Sequence, residues 1–271
     1  MPARLLLLWL LSPLCVAAPL RLVVQEFAPY SFMGSDNQPT GAMVDMVKEA
    51  CSYWPEGCQI TLRPNLRARK ELDLGEVDGM FPLAWSDARA KTLSYSVPLC
   101  KASWGIFAHV DEIDAPLTLA RLGHARIGVT RGSFSETLLR QLDDTLHQQG
   151  ISPMQLELNV NDDYANLLKI ERQGRYNLYF SNLDVALYRL NLSGASKIRL
   201  WQKSHEANYY IAFNRQRMSE AQLAAFNQIL TRLEAQGNLL RHRVHWGLSS
   251  PLPDHRLHTL FPPGSQRPHA N

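Results

Sequence analysis

The 271 residues suffice for two α/β lobes or one large domain, and 45% hydrophobic with 20% charged residues is an ordinary globular composition. A formal net charge of +3 with no Lys/Arg-dense stripe lacks the electrostatic footprint of a nucleic-acid binder, so no nucleic-acid partner is expected. No CxxC, HxxxH or HExxH spacing occurs, so no metal and no cofactor are expected.

The chain opens like a secretory leader. Arg4 supplies a positive start, residues 5–11 are an apolar run broken by Ser12 and Pro13, and Cys15, Val16 and Ala17 are short enough for a signal peptidase. Cleavage is expected after Ala17, which removes Arg4 and leaves a mature charge of +2. The run is too short for a bilayer span, and bulky Leu14 before Cys15 speaks against a lipid anchor. The expected location is the periplasm, where disulfides form. Cys51 and Cys58 flank a turn containing Pro55 and Gly57, so a bridge there can pin a helix end to the next strand. Cys100 is left odd and reads as a small buried hydrophobe.

Strand and helix patterns then alternate, which argues an α/β fold. Residues 20–25 are β-rich and lead into the turn of Phe27, Ala28, Pro29 and Tyr30, with loop chemistry at 35–39. Met43, Val47, Ala50 and Cys51 share one helix face. A strand at 60–62 precedes a helix that Asn65 can cap and Gly75 ends, followed by a short buried strand at 80–83. Another strand is predicted at 104–110, and residues 111–116 connect to something new. A strand at 127–129 leads into Ser133 and Glu136, a capping box for a helix carrying Leu138, Leu139 and Leu142. Strand-like 156–160 precedes a helix capped by Asp162 or Asp163, carrying Leu167, Leu168 and Ile170 and stopped by Gly174. A strand at 178–180, a helix at 184–190 and a last strand at 209–213 follow. Leu223, Phe226, Leu230 and Leu233 form a final amphipathic helix ending near Gly237. Residues 248–271, with five prolines and three histidines, read as a disordered tail.

Several pieces, in this order, carry a resemblance. Phe27 to Phe32 resembles an aromatic-Pro-aromatic turn after a first strand, and Gly41 to Asp45 a Gly-aromatic-x-x-Asp helix opening. Gly75 with Asp78, Ser86 with Arg89, and Val129 to Glu136 extend the series. From about residue 20 to 247 the chain resembles the family 3 extracellular solute-binding proteins, the polar amino-acid type of periplasmic binding protein. The spacing of Cys51 and Cys58 is similar to a disulfide loop of that family's basic amino-acid members. The resemblance implies a two-lobed type II periplasmic-binding-protein-like fold with a hinge and an interlobe cleft. Lobe one would be 18–107 plus 207–247, and lobe two 108–206. It also implies a monomer that closes around a small polar ligand and serves a membrane transporter permease or a sensory receptor. A dehydratase-like activity on the same fold is the lesser alternative, with Glu26 or Asp184 as its general acid/base.

The site follows from what a zwitterion needs. Arg89 offers a bidentate fork to a carboxylate, and its family counterpart holds the ligand's α-carboxylate. Gly132, Ser133 and Phe134 place amides and a helix dipole where the family holds the same group from the other lobe. Phe27, Tyr30, Phe81 and Trp85 are candidate aromatic walls. The family's acid for the α-ammonium falls on Asn182, with Asp184 two positions on, so the pattern departs from a standard amino-acid site. Arg67 and Arg69 are further candidates and, with Arg89, suit a more anionic ligand.

Overall fold

A computed structural model describes residues 18–159, 163–170 and 176–260. The expected leader, the Asp162 cap, the Gly174 stop and the end of the chain from 261 lie outside them.

The chain begins with β1 (Leu20–Val24), a nearly continuous buried apolar run of the kind that fills the middle of a parallel sheet. A small ribbon of β2 (Phe32–Met33) and β3 (Pro39–Thr40) follows, then α1 (Ala42–Cys51). Gly41 opens α1 at φ +120°, and a Cβ there would stand 2.8 Å from the Pro29 carbonyl oxygen, so this junction requires glycine. Met43, Val47, Ala50 and Cys51 are all buried, as their spacing predicts. Next come β4 (Cys58–Leu62), α2 (Asn65–Asp73), β5 (Gly79–Ala84), the short α3 (Asp87–Ala90) and β6 (Leu93–Tyr95). Asn65 is not the cap of α2. Pro64 holds that position without a side-chain bond, because Asn65 is already the first helical residue.

The long strand β7 (Cys100–His109) crosses to the second half, where it ends in a 3-10 turn, Val110–Glu112. There follow α4 (Leu119–Leu122), β8 (Arg126–Thr130), α5 (Phe134–Gln148), β9 (Gln155–Asn159), α6 (Asp163–Leu167), β10 (Leu178–Asn182) and α7 (Leu183–Ser193). The 17-residue β11 (Ile198–Asn214) crosses back. The sequence reading recognised only its last third, because the first part is amphipathic and partly exposed. The chain then forms α8 (Glu220–Ala235), α9 (Asn238–Trp246) and β12 (His258–Thr259). Helix α9 lies beyond the last helix the sequence predicts: Gly237 follows α8 and opens α9 in left-handed backbone.

One sheet runs β4-β1-β5-β11-β7-β10-β8-β9. Its outer trios, β4-β1-β5 and β10-β8-β9, are internally parallel, while β7 and β11 pair antiparallel between them. The two halves of this mixed α/β sheet are therefore joined through two long neighbouring strands, the layout of a two-lobed fold. Lobe one packs Met43, Val47 and Phe226 against its trio, and lobe two packs Leu138, Leu142 and Leu146 against its own.

The expected disordered tail is corrected for residues 248–260. They run along the crossing strands: Lys101 donates its amide to the Ser249 carbonyl, and β12 pairs with His205 and Glu206. The reason lies in Asn208, which is buried and needs partners. Its amide donates to the Leu252 and Asp254 carbonyls, and its oxygen accepts the Leu252 amide.

Cys51 and Cys58 are bridged, with a Cα–Cα distance of 5.5 Å, joining the end of α1 to the start of β4. Cys100 is buried and free, and burial raises its thiol far above the ordinary value.

Candidate functional site

A cleft of about 660 Å³ opens between the two halves, a volume suited to a small organic molecule. On the first half its wall comes from the turn after β1, the start of α2, the end of β5 and Arg89. On the second half it comes from the β8–α5 turn and from Val185 and Arg189 of α7. Trp104 of β7 and Tyr209 of β11, on the two crossing strands, complete it.

Arg89 lines the cleft on the side of the first half. Ser86 caps α3, accepting the Arg89 amide, which fixes the residue's backbone. The guanidinium donates to the Ala84 carbonyl at 3.0 Å and lies 5.5 Å from the centre of the Phe134 ring, contributed by the other half. Burial, and then the charge of Arg69, pull Arg89 down to about 10, so it stays charged at neutral pH.

Ser133 and Phe134 also line the cleft. Gly132 takes φ +71°, and its α-carbon is close to Leu66 of the opposite half: an added Cβ would meet a Leu66 methyl at 3.1 Å. The capping box is incomplete. Ser133 Oγ accepts the Glu136 amide, but Glu136 reaches back to the Gly132 amide, at 2.7 Å, instead of that of Ser133. The Gly132 N–H is thereby occupied by a carboxylate of the chain itself, which leaves the Phe134 and Ser135 end of the turn to meet an anion.

The aromatic candidates divide. Phe27 lines the cleft and stacks on Tyr30 with ring centres 5.5 Å apart. Tyr30 lies behind it, fully buried and edge-on to Tyr209 at 5.0 Å. Phe81 is not a wall: it faces the core, and its neighbours Pro82 and Leu83 are at the cleft instead. Trp85 is not a wall either, because its ring packs on His255 of the C-terminal segment, 4.9 Å between centres. The residues that sequence reasoning missed are Trp104 and Tyr209. They stand 5.7 Å apart, and Trp104 continues to Phe134 at 5.3 Å. Neither carries a local signal, since each becomes a site residue only where two strands a hundred positions apart pair.

The acid candidates are both engaged. Asn182 is buried at the start of α7, where its oxygen accepts the Val185 amide and its amide donates to the Tyr209 hydroxyl. Asn182, not Asp184, is thus the helix cap. Asp184 accepts a hydrogen bond from the Tyr30 hydroxyl, and burial raises its carboxyl above the ordinary value. Glu26 accepts the Met33 amide and lies 3.5 Å from Arg189. Arg67 is exposed, paired with Glu71 at 2.7 Å and away from the cleft. Two positions on, helical geometry brings Arg69 into the cleft instead. Among the described residues no cluster of His, Cys, Asp and Glu is arranged to hold a metal.

The two parallel trios, the paired crossing strands and the cleft between them agree with the comparison by sequence. The profile of the bacterial extracellular solute-binding proteins, family 3, matches residues 20–249. The chain belongs to this family. No curated protein sequence matches this family 3 member closely enough to count as a relative. Solved structures similar in fold include a histidine kinase sensor domain with similarity to periplasmic binding proteins (18% identity, 86% of this chain and 98% of that one, TM-score 0.73). An ancestral arginine-binding protein bound to arginine is similar over 85% of this chain and 99% of its own, at 18% identity and TM-score 0.70. The substrate binding protein of an amino acid ABC transporter is similar over 84% and 99%, at 14% identity and TM-score 0.67. No helix of the described residues of this family 3 protein is long and apolar enough to cross a membrane.

Proposed function

We propose that this protein is exported to the periplasm, captures a small polar, carboxylate-bearing solute of amino-acid size between its lobes, and delivers it to an ABC-type membrane transporter. The observation that carries this reading is Arg89, a charged fork on one wall of the cleft, lying over Phe134 at the start of α5 on the other. A carboxylate seated there meets a guanidinium from lobe one and a helix N-terminus from lobe two, so its binding favours closure. The lobe limits that accompany this reading are 18–107 plus 207–247 and 108–206, with β7 and β11 as the hinge. The role is capture without chemistry: the two acids weighed as a general acid/base, Glu26 and Asp184, are already engaged by Arg189 and Tyr30.

A second reading, presentation of the ligand to a sensory receptor, is favoured by the similarity to a histidine kinase sensor domain over nearly all of that domain's length.

The test is a thermal-shift screen against amino acids, organic acids, polyamines and oligopeptides, followed by calorimetry on any hit. Arg89→Ala should weaken binding of the hit by about 2–4 kcal/mol, the loss expected for one partner of a desolvated charge pair. A ligand whose affinity is unchanged by Arg89→Ala refutes this use of the cleft.

A further inference from the structure

Among the described residues four arginines line the cleft, Arg69, Arg89, Arg131 and Arg189, against two acids, Asp73 and Glu26. Both carboxylates already stand beside a guanidinium. Asp73 is 3.9 Å from Arg69, and Glu26 is 3.5 Å from Arg189. Asp184, which does not line the cleft, is engaged by the Tyr30 hydroxyl, and Asn182 at the position expected for an ammonium partner carries no charge. A ligand ammonium therefore finds surplus positive charge around it and no carboxylate without a cationic neighbour.

Both acids lie on lobe one with Arg69 and Arg89, but Asp73 stands by Arg69 and Glu26 by Arg189 of lobe two, which leaves Arg89 with neither. Among the described residues no carboxylate lies within ion-pair distance of Arg89. Arg69 has one amino group, Nη1, shut off from solvent with no hydrogen-bond acceptor in reach. The two arginines also act on each other, since the Arg69 charge disfavours the charged form of Arg89. Like charges facing one cleft are offset when anionic oxygens stand beside both.

We propose that the cleft takes a solute with two acidic groups and no free ammonium, an α,ω-dicarboxylate in its chemistry, with one carboxylate on Arg89 and the other on Arg69. This rests on the reading of the cleft as the ligand site. It adds a residue, Arg69, that sets specificity for the second acid. The aliphatic middle of such a solute lies against Phe27, Trp104 and Tyr209, which suits an apolar spacer.

Calorimetry with succinate, glutarate and adipate, set against valerate, L-glutamate, L-glutamine and L-arginine, tests it. One dicarboxylate should bind at least tenfold more tightly than L-glutamate and L-glutamine. Arg69→Gln should weaken that dicarboxylate at least tenfold and far more than it changes valerate, and Arg67→Gln, on the exposed side of α2, should change neither. The inference is overturned if no dicarboxylate binds, if L-glutamate binds more tightly than every dicarboxylate, or if Arg69→Gln has no effect. Should Arg69→Gln not fold, the preference of the unaltered protein for a dicarboxylate over valerate and L-glutamate decides the matter. An amino acid that binds and is lost on Arg89→Ala would overturn the dianion alone, whereas binding indifferent to Arg89→Ala would overturn the cleft reading as well.

Discussion

The Tyr30 hydroxyl donates a hydrogen bond to the Asp184 carboxylate, joining the turn after β1 in one half of the molecule to the start of α7 in the other. It joins the two halves behind Phe27, on which the Tyr30 ring stacks. Burial, which disfavours both charged forms, raises Tyr30 well above its ordinary value and Asp184 above 3.8. A carboxyl whose folded pKa is raised binds its proton more tightly in the folded state. Its burial thus costs stability at neutral pH, and the cost fades as pH falls through the folded value towards 3.8. Asp184→Asn keeps an acceptor for Tyr30 and removes the charge. Its melting temperature should exceed that of the unaltered protein at pH 7, with the gain shrinking towards pH 4. Tyr30→Phe should do the reverse, lowering stability by about 1–3 kcal/mol, because a buried carboxylate loses its donor. Thermal unfolding at pH 4, 5.5 and 7 reads both.

His205 titrates with the opposite sign. It is buried on β11, with Nδ1 at 2.8 Å from the Ser204 hydroxyl, and burial lowers it to about 4 from 6.5. The folded state holds the neutral ring, so its contribution is present above pH 6.5 and is lost as pH falls towards 4. The loss amounts to about 3 kcal/mol at an exchange of 1.36 kcal/mol per unit. His205→Gln should flatten the fall in stability between pH 6.5 and 4.5 in urea unfolding. An unchanged slope would show that another group carries the acid sensitivity.

The Cys51–Cys58 bridge closes a short loop, for which chain entropy gives about 2–3 kcal/mol of stabilisation. Reduction should lower the melting temperature accordingly. Cys100 should resist alkylation in the native protein, since burial suppresses its thiolate. In denatured, unreduced protein freed of its leader, thiol counting should find one reactive cysteine; three would refute the bridge.

Deletion from residue 248 onward should destabilise the protein. It would strip Asn208 of its three backbone bonds, Trp85 of His255, and β11 of its short partner β12. Each buried amide group left unsatisfied costs about 1–3 kcal/mol. Deletion from 261 onward keeps all of these contacts and is the matched control. Equal melting temperatures for the two truncations would show that the segment along the hinge strands contributes nothing.

The sequence by itself determined what depends on neighbours within a few positions. The face of α1, the Ser86 and Ser133 caps, the cysteine spacing, the order of family motifs and the Arg89 position could all be read this way. Periods of 3.6 and 2, cap chemistry and loop length act over one or two turns of chain. The same locality explains the misses. Phe81 and Trp85 are aromatic and adjacent to the cleft, but which way each faces depends on the sheet beneath and on a segment 170 residues later. Only the tertiary structure brought Trp104 to Tyr209, turned Arg69 rather than Arg67 into the cleft, and set Asp184 against a tyrosine 154 positions away. Those relationships arise when β7 and β11 pair and two halves of a sheet meet, a long-range packing event for which no short window of residues carries a pattern.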